Sequence, residues 1–131
     1  MHALIIEDNV MITAQIADEL RSRGFTSIEC ADTCDEAVAL ADSQCPDLIT
    51  ADHWLVGESG ISAVRKICEN RPIPVIYIVA LPDRLLAEEP NAVVLQKPFT
   101  TRGLSKAIAE AMPAHSRLPN ESDAAGFSPT A

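Results

Sequence analysis

The chain is poor in basic residues. Lys and Arg number 10 against 19 Asp and Glu, and the net charge is −9 at pH 7. Phosphate backbones would be repelled, and no Lys/Arg stripe relieves this, so nucleic acid is excluded as a partner. No apolar run approaches the roughly 20 residues that a bilayer-spanning helix needs, so no membrane span is expected. Met1-His2-Ala3 leads straight into a strand pattern, so no signal peptide is read and the expected location is cytoplasmic. The four cysteines, Cys30, Cys34, Cys45 and Cys68, form no CxxC pair. That spacing sets aside a zinc or redox site and leaves reduced, mostly buried thiols used as small apolar groups. Internal repeats are absent as well.

What is present fits one domain: 131 residues, 47% of them hydrophobic. Short apolar runs alternate with helical patterns, which implies βαβ units and a parallel sheet. The first strand covers about His2–Ile6. A helix follows from about Val10 to Arg23, with Ile12, Ile16, Ala17 and Leu20 on one face and Gly24 at its C-terminal cap. Phe25–Cys30 reads as the second strand. Thr33 with Glu36 fits a capping box, and the helix it opens runs to about Ser43. The third strand is Asp47–Ala51. Gly57 and Gly60 bracket a turn before a helix from about Ser59 to Asn70. The fourth strand is Ile73–Ala80, and Leu81–Asn91 has room for about two helical turns. Ala92–Leu95 is the fifth strand. Thr100 or Thr101 caps a last helix that ends before Pro113. The expected domain is 1–113, and 114–131, rich in Pro, Ser, Asn and Ala, reads as a disordered tail.

Four charged residues sit just past apolar runs. Ala3-Leu4-Ile5-Ile6 runs into Glu7-Asp8, Leu48-Ile49-Thr50-Ala51 into Asp52, and Ala92-Val93-Val94-Leu95 leads, after Gln96, into Lys97-Pro98. In an open parallel sheet the carboxyl ends of the strands share one edge, where ligands bind. Three carboxylates and an ammonium should therefore meet there. Adjacent carboxylates repel unless a cation lies between them, and Mg²⁺ takes one or two carboxylates with waters and phosphate oxygens. Asp52 is then a candidate phosphoryl acceptor, with Lys97 a point charge for the arriving phosphate. Taken singly, Glu7-Asp8 reads equally as a solvated helix N-terminus, and Asp52 as a loop acid. The order of all four along the chain favours the site.

With those residues in place, the chain resembles the receiver domain of two-component response regulators over residues 3–112. Glu7-Asp8 matches the family's acidic metal-binding pair. Asp52, followed by Leu55, Gly57 and Gly60, matches the phosphoacceptor and its loop. Lys97-Pro98-Phe99 matches the Lys-Pro-Phe signature. The resemblance implies a five-stranded, doubly wound α/β fold of flavodoxin-like strand order 2-1-3-4-5. It also implies Mg²⁺ held by Glu7, Asp8, Asp52 and the Trp54 backbone carbonyl, and a cis peptide at Pro98. A histidine kinase or phosphotransfer protein would donate to Asp52. The donor would dock on the first helix near Val10, Met11, Ala14 and Gln15. Output would be by contact with a downstream protein, through the face from the fourth strand to the last helix. The resemblance is to a stand-alone, non-enzymatic receiver with no effector domain after Met112, and a homodimer is left open.

Three departures bear on switching. The family's strand-four Thr/Ser is Val79 here, its switch aromatic is Val94, and the segment between Val79 and Lys97 is shorter than usual, as in some single-domain alphaproteobacterial-type regulators. A valine methyl donates no hydrogen bond, and one lost charged contact to phosphate is worth ~1.5–3 kcal/mol. Tyr77 is a candidate substitute aromatic, with core packing as its other role. His53 reads as a loop position partly facing solvent. The exposed Trp54 ring would rim the pocket or meet a partner. A phosphorylation-independent interaction module with a decayed switch is the rival. A haloacid-dehalogenase-type hydrolase needs an acid where Trp54 stands. A flavin protein needs a hydroxyl- and Gly-rich loop where Glu7-Asp8-Asn9 stands.

Overall fold

The computed structural model describes residues 1–55 and 57–113, and the expected tail, 114–131, lies outside the described residues. In chain order the elements are β1 (His2–Ile6), α1 (Val10–Ser22), β2 (Ser27–Ala31), α2 (Cys34–Ser43), β3 (Leu48–Ala51), β4 (Trp54–Leu55), β5 (Glu58–Ser59), α3 (Gly60–Ile67), β6 (Val75–Val79), α4 (Pro82–Glu88), β7 (Val93–Gln96) and α5 (Thr101–Ala111). Five strands form one parallel sheet in the order β2-β1-β3-β6-β7. With the β4–β5 hairpin set aside, this is the order 2-1-3-4-5 that the resemblance implied.

Helices cover both faces, so the inner strands are continuous apolar runs rather than alternating ones. All five residues of β1 are buried. Leu4, Ile6, Ile49, Ala51, Tyr77 and Val79 pack with residues of α2, α3 and α4 on one side. Ala3, Ile5, Leu48, Ile76 and Ile78 pack with residues of α1 and α5 on the other. Alternation along each strand divides the apolar residues between these two cores.

The caps explain the boundaries. Asn9, Thr33, Ser59 and Thr100 each accept a backbone N–H of the turn that follows, from Ile12, Glu36, Ile61 and Gly103. Thr100, not Thr101, therefore caps α5. Proline at the first turn opens α4, which has no side-chain cap.

Several expected boundaries are corrected. Phe25 does not belong to β2. Gly24, at φ +96°, follows α1, with Phe25 N–H donating to Leu20 C=O and Gly24 N–H to Arg21 C=O. This is a Schellman closure, and Phe25 is its buried apolar contact. Arg23 is the C-cap of α1 rather than its last turn. α3 stops at Ile67, with Cys68 as cap, instead of reaching Asn70. Asp47 precedes β3 and accepts the His2 N–H at 2.7 Å. β6 omits Ile73, Pro74 and Ala80, and β7 starts one residue late and includes Gln96. The cysteines are not mostly buried: Cys30 and Cys45 are exposed, Cys34 is buried and Cys68 is intermediate.

Candidate functional site

β1, β3 and β7 end at the same edge. Their ladders continue one step past the strands: Glu7 N–H donates to Ala31 C=O, Asp52 N–H to Ile6 C=O and Lys97 N–H to Val79 C=O, at 2.9, 3.0 and 2.8 Å. These bonds fix the three backbones from which the charged side chains leave the sheet. The Lys97–Pro98 peptide is cis.

The ammonium of Lys97 stands between two acids, 2.9 Å from Glu7 Oε1 and 3.1 Å from Asp52 Oδ2. Glu7 is buried, Asp52 half-buried and Asp8 exposed. One oxygen from each of Glu7, Asp8 and Asp52 lies within 4.8 Å of the others. Three hard oxygen donors at that spacing suit a hard divalent cation, and two of them already lean on a positive charge. Burial pushes the Glu7 carboxyl above its ordinary range; the Lys97 hydrogen bond opposes this and the neighbouring Asp52 charge adds to it. Burial would lower Lys97, but its bonds to Glu7 and Asp52 outweigh that and hold the ammonium above its usual value.

The second oxygen of Asp52 is taken as well: Oδ1 accepts the His53 N–H at 2.8 Å. The segment that follows is a tight hairpin, with Trp54 opposite Ser59 and Leu55 opposite Glu58. Gly57, at φ +71°, serves its turn. Gly60 closes the loop. Its N–H donates to His53 C=O at 2.8 Å, and a Cβ built on it would lie 1.7 Å from the Asp52 carbonyl oxygen. No other residue type fits there without displacing Asp52.

His53 is not a solvent-facing loop residue as expected. It is 2% exposed, its ring stacks on the exposed Trp54 with centroids 4.4 Å apart, and its Nε2 lies 3.2 Å from Glu88 Oε2 on α4. The sequence offered little warning, since Glu88 is 35 positions away. Val79 is wholly buried at the end of β6 and brings no hydroxyl to the edge. Val94 pairs in register with Tyr77 on the neighbouring strand. Tyr77 is buried in the core that also holds Leu85 of α4, and its phenol is pushed well above its ordinary range by that burial.

Comparison with known proteins bears on this edge. The family model described as "Response regulator receiver domain" matches residues 3–109. The phyllosphere-induced regulator PhyR of Methylorubrum extorquens is 38% identical, over 83% of this chain and 42% of that protein. The solution structure of the Erythrobacter litoralis PhyR receiver domain matches with a TM-score of 0.78 at 34% identity, covering 99% of this chain and 95% of that one. The anti-anti-sigma factor PhyR of Bartonella quintana matches with a TM-score of 0.75 at 36% identity, covering 86% and 47%. The chain spans about half the length of the curated relatives it matches.

Proposed function

The chain belongs to the response regulator receiver domain family of two-component signalling, and we propose on that footing that it accepts a phosphoryl group on Asp52 and signals by protein contact. One observation carries the reading: Lys97 bridges Glu7 and Asp52 at 2.9 and 3.1 Å on the carboxyl edge of the sheet. Glu7, Asp8, Asp52 and the Trp54 carbonyl would hold Mg²⁺, which supplies positive charge against the phosphoryl oxygens. An Asp52 carboxylate oxygen attacks phosphorus on a donor phosphohistidine. The P–O bond forms, the P–N bond breaks, and the imidazole leaves with the electron pair. Lys97 exchanges its bond to Asp52 Oδ2 for one to a phosphoryl oxygen, so the ion pair of the resting state becomes a contact of the modified one. In the resting state His53 N–H holds Oδ1 at 2.8 Å.

The donor would be a histidine kinase or phosphotransfer protein docking along Val10, Met11, Ala14 and Gln15, all exposed on the first half of α1 beside the acids. The downstream partner would be a protein bound at the face from β6 to α5, where Tyr77, Glu89, Pro90 and Ala92 line a groove. The protein-directed role named for the Bartonella relative supports an output of this kind.

Val79 and Val94 favour a second reading, a receiver fold that binds partners without being phosphorylated. A small phosphodonor with Mg²⁺ separates the two. Intact mass should rise by one phosphoryl group, and the gain should vanish in Asp52→Ala and when the metal is chelated. No gain in the parent chain would leave the phosphorylation-independent module.

A further inference from the structure

With Thr absent from the end of β6, something else must tie the acceptor to the helix beside it, or the acceptor's state stays local. Among the described residues, one side-chain hydrogen bond joins the acceptor hairpin to α4: His53 Nε2 with Glu88 Oε2 at 3.2 Å.

His53 is held at three points. Its N–H is on Asp52 Oδ1 at 2.8 Å, its C=O accepts Gly60 N–H at 2.8 Å, and its ring reaches α4. The imidazole is buried under the Trp54 ring and cannot swing out without unstacking. Its Nδ1 is buried and has no hydrogen-bond partner, so Glu88 is the single polar anchor of the ring. A change in what Asp52 Oδ1 accepts must displace the residue 53 backbone. Gly60 is pinned against the Asp52 carbonyl, so that side of the linkage is stiff.

The α4 side is soft. The helix has seven residues and no side-chain N-cap, and it buries Leu85 alone. Its far end is tied to α3, where Arg65 pairs with Glu89 and donates to Glu88 C=O. An element so lightly held lies at the low end of local stability and moves first.

We infer that His53 and Glu88 form the link through which the state of Asp52 sets the position of α4, with His53 a positioning residue. The inference rests on Asp52 being the acceptor. Displacement of the 52–54 backbone on modification shifts the imidazole, and Glu88 carries the shift into α4. The device takes the place of a hydroxyl at Val79 and couples the site to the face beside the Tyr77–Glu89 groove.

Hydrogen exchange of peptides spanning residues 81–90 tests this on the full chain, with intact mass recorded in parallel. Phosphodonor and Mg²⁺ should change exchange in the parent chain by about threefold or more. Glu88→Ala removes a half-exposed side chain and leaves the four site residues in place. It should still take up the phosphoryl group, yet its α4 exchange should no longer respond. Glu88→Gln, whose amide oxygen accepts the same bond, should restore the response. His53→Phe, which keeps the stacked ring, should behave as Glu88→Ala does. A phosphorylated parent chain with silent α4, or a phosphorylated Glu88→Ala chain with a full α4 response, overturns the link alone. A parent chain that takes up no phosphoryl group overturns the acceptor reading and the link with it.

Discussion

Replacing Gly60 with alanine should damage the protein where a simple propensity argument predicts improvement. Gly60 is the first residue of α3 and its φ is not positive, so nothing in its backbone demands glycine. Alanine at an unstrained helical position ordinarily stabilises by about 0.5–1 kcal/mol. Here the added Cβ would fall 1.7 Å from the Asp52 carbonyl oxygen and 2.9 Å from its carbon. Non-bonded carbon contacts settle near 3.5 Å, so roughly 1.5 Å of movement is required. The obstructing atoms are backbone, tied into β3 by Asp52 N–H to Ile6 C=O at 3.0 Å, and cannot rotate away. Overpacking of this kind costs about 1–3 kcal/mol, and the alanine gain offsets part of it, so Gly60→Ala should lose about 1 kcal/mol net in urea unfolding.

The function should suffer more than the stability. Moving the Asp52 backbone by an ångström misaligns its carboxylate with Lys97, and misplacement on that scale costs on the order of 10- to 100-fold in rate. Gly57→Ala is the control. It imposes strain at φ +71° but meets nothing within 4 Å, so it should lose about 1–2 kcal/mol with phosphoryl uptake nearly unchanged. A Gly60→Ala chain as stable as the parent, with normal uptake, would refute the close-approach argument.

Three further outcomes follow from the same geometry. The carboxyl of Glu7 lies above its ordinary value of 4.5 in the folded state, so its contribution to stability is complete below that pH and is lost as pH rises through the folded value. The metal-free parent chain should thus lose stability relative to Glu7→Gln across that window, and a difference in urea midpoints that stays flat with pH would contradict it. Val79→Thr should cost about 1–3 kcal/mol by burying a hydroxyl, and the cost should shrink when a phosphoryl mimic such as beryllofluoride occupies Asp52; an equal cost in both states would mean that position 79 does not face the phosphate. Thr33→Ala should remove about 1 kcal/mol through the lost α2 cap, read as a shift in urea midpoint with phosphoryl uptake unchanged.

The positions of Glu7, Asp52 and Lys97 were legible because each follows, directly or after one residue, a short apolar run that reads as a strand of a parallel sheet. Strand ends in a parallel sheet share an edge by topology, so three one-dimensional positions become one three-dimensional site. The caps at Asn9, Thr33, Ser59 and Thr100 use local chemistry. Thr33 and one of two threonines near residue 100 were accordingly identifiable from their neighbours. The β4–β5 hairpin was not, because two-residue strands carry no periodicity. Phe25 was misassigned for a related reason: a large apolar residue after glycine looks like a strand start, and only the Leu20 and Arg21 carbonyls show it to be a helix stop.

Burial of His53 belongs to a different class of information. A polar residue beside an acidic one, in a loop ahead of two glycines, has every local mark of exposure. What anchors its ring is Glu88 of α4, brought near by the parallel pairing of β3 with β6 and the short path from β6 into α4. Local patterns report the residues that make elements, and topology reports the edge they share. A contact between two polar side chains from separate elements is reported by neither, and it needs the packing itself. In this protein the clustered charges are of the first kind and the His53–Glu88 pair is of the last. The charges at the sheet edge are therefore legible in the sequence, and the pair proposed to carry their state into α4 is not.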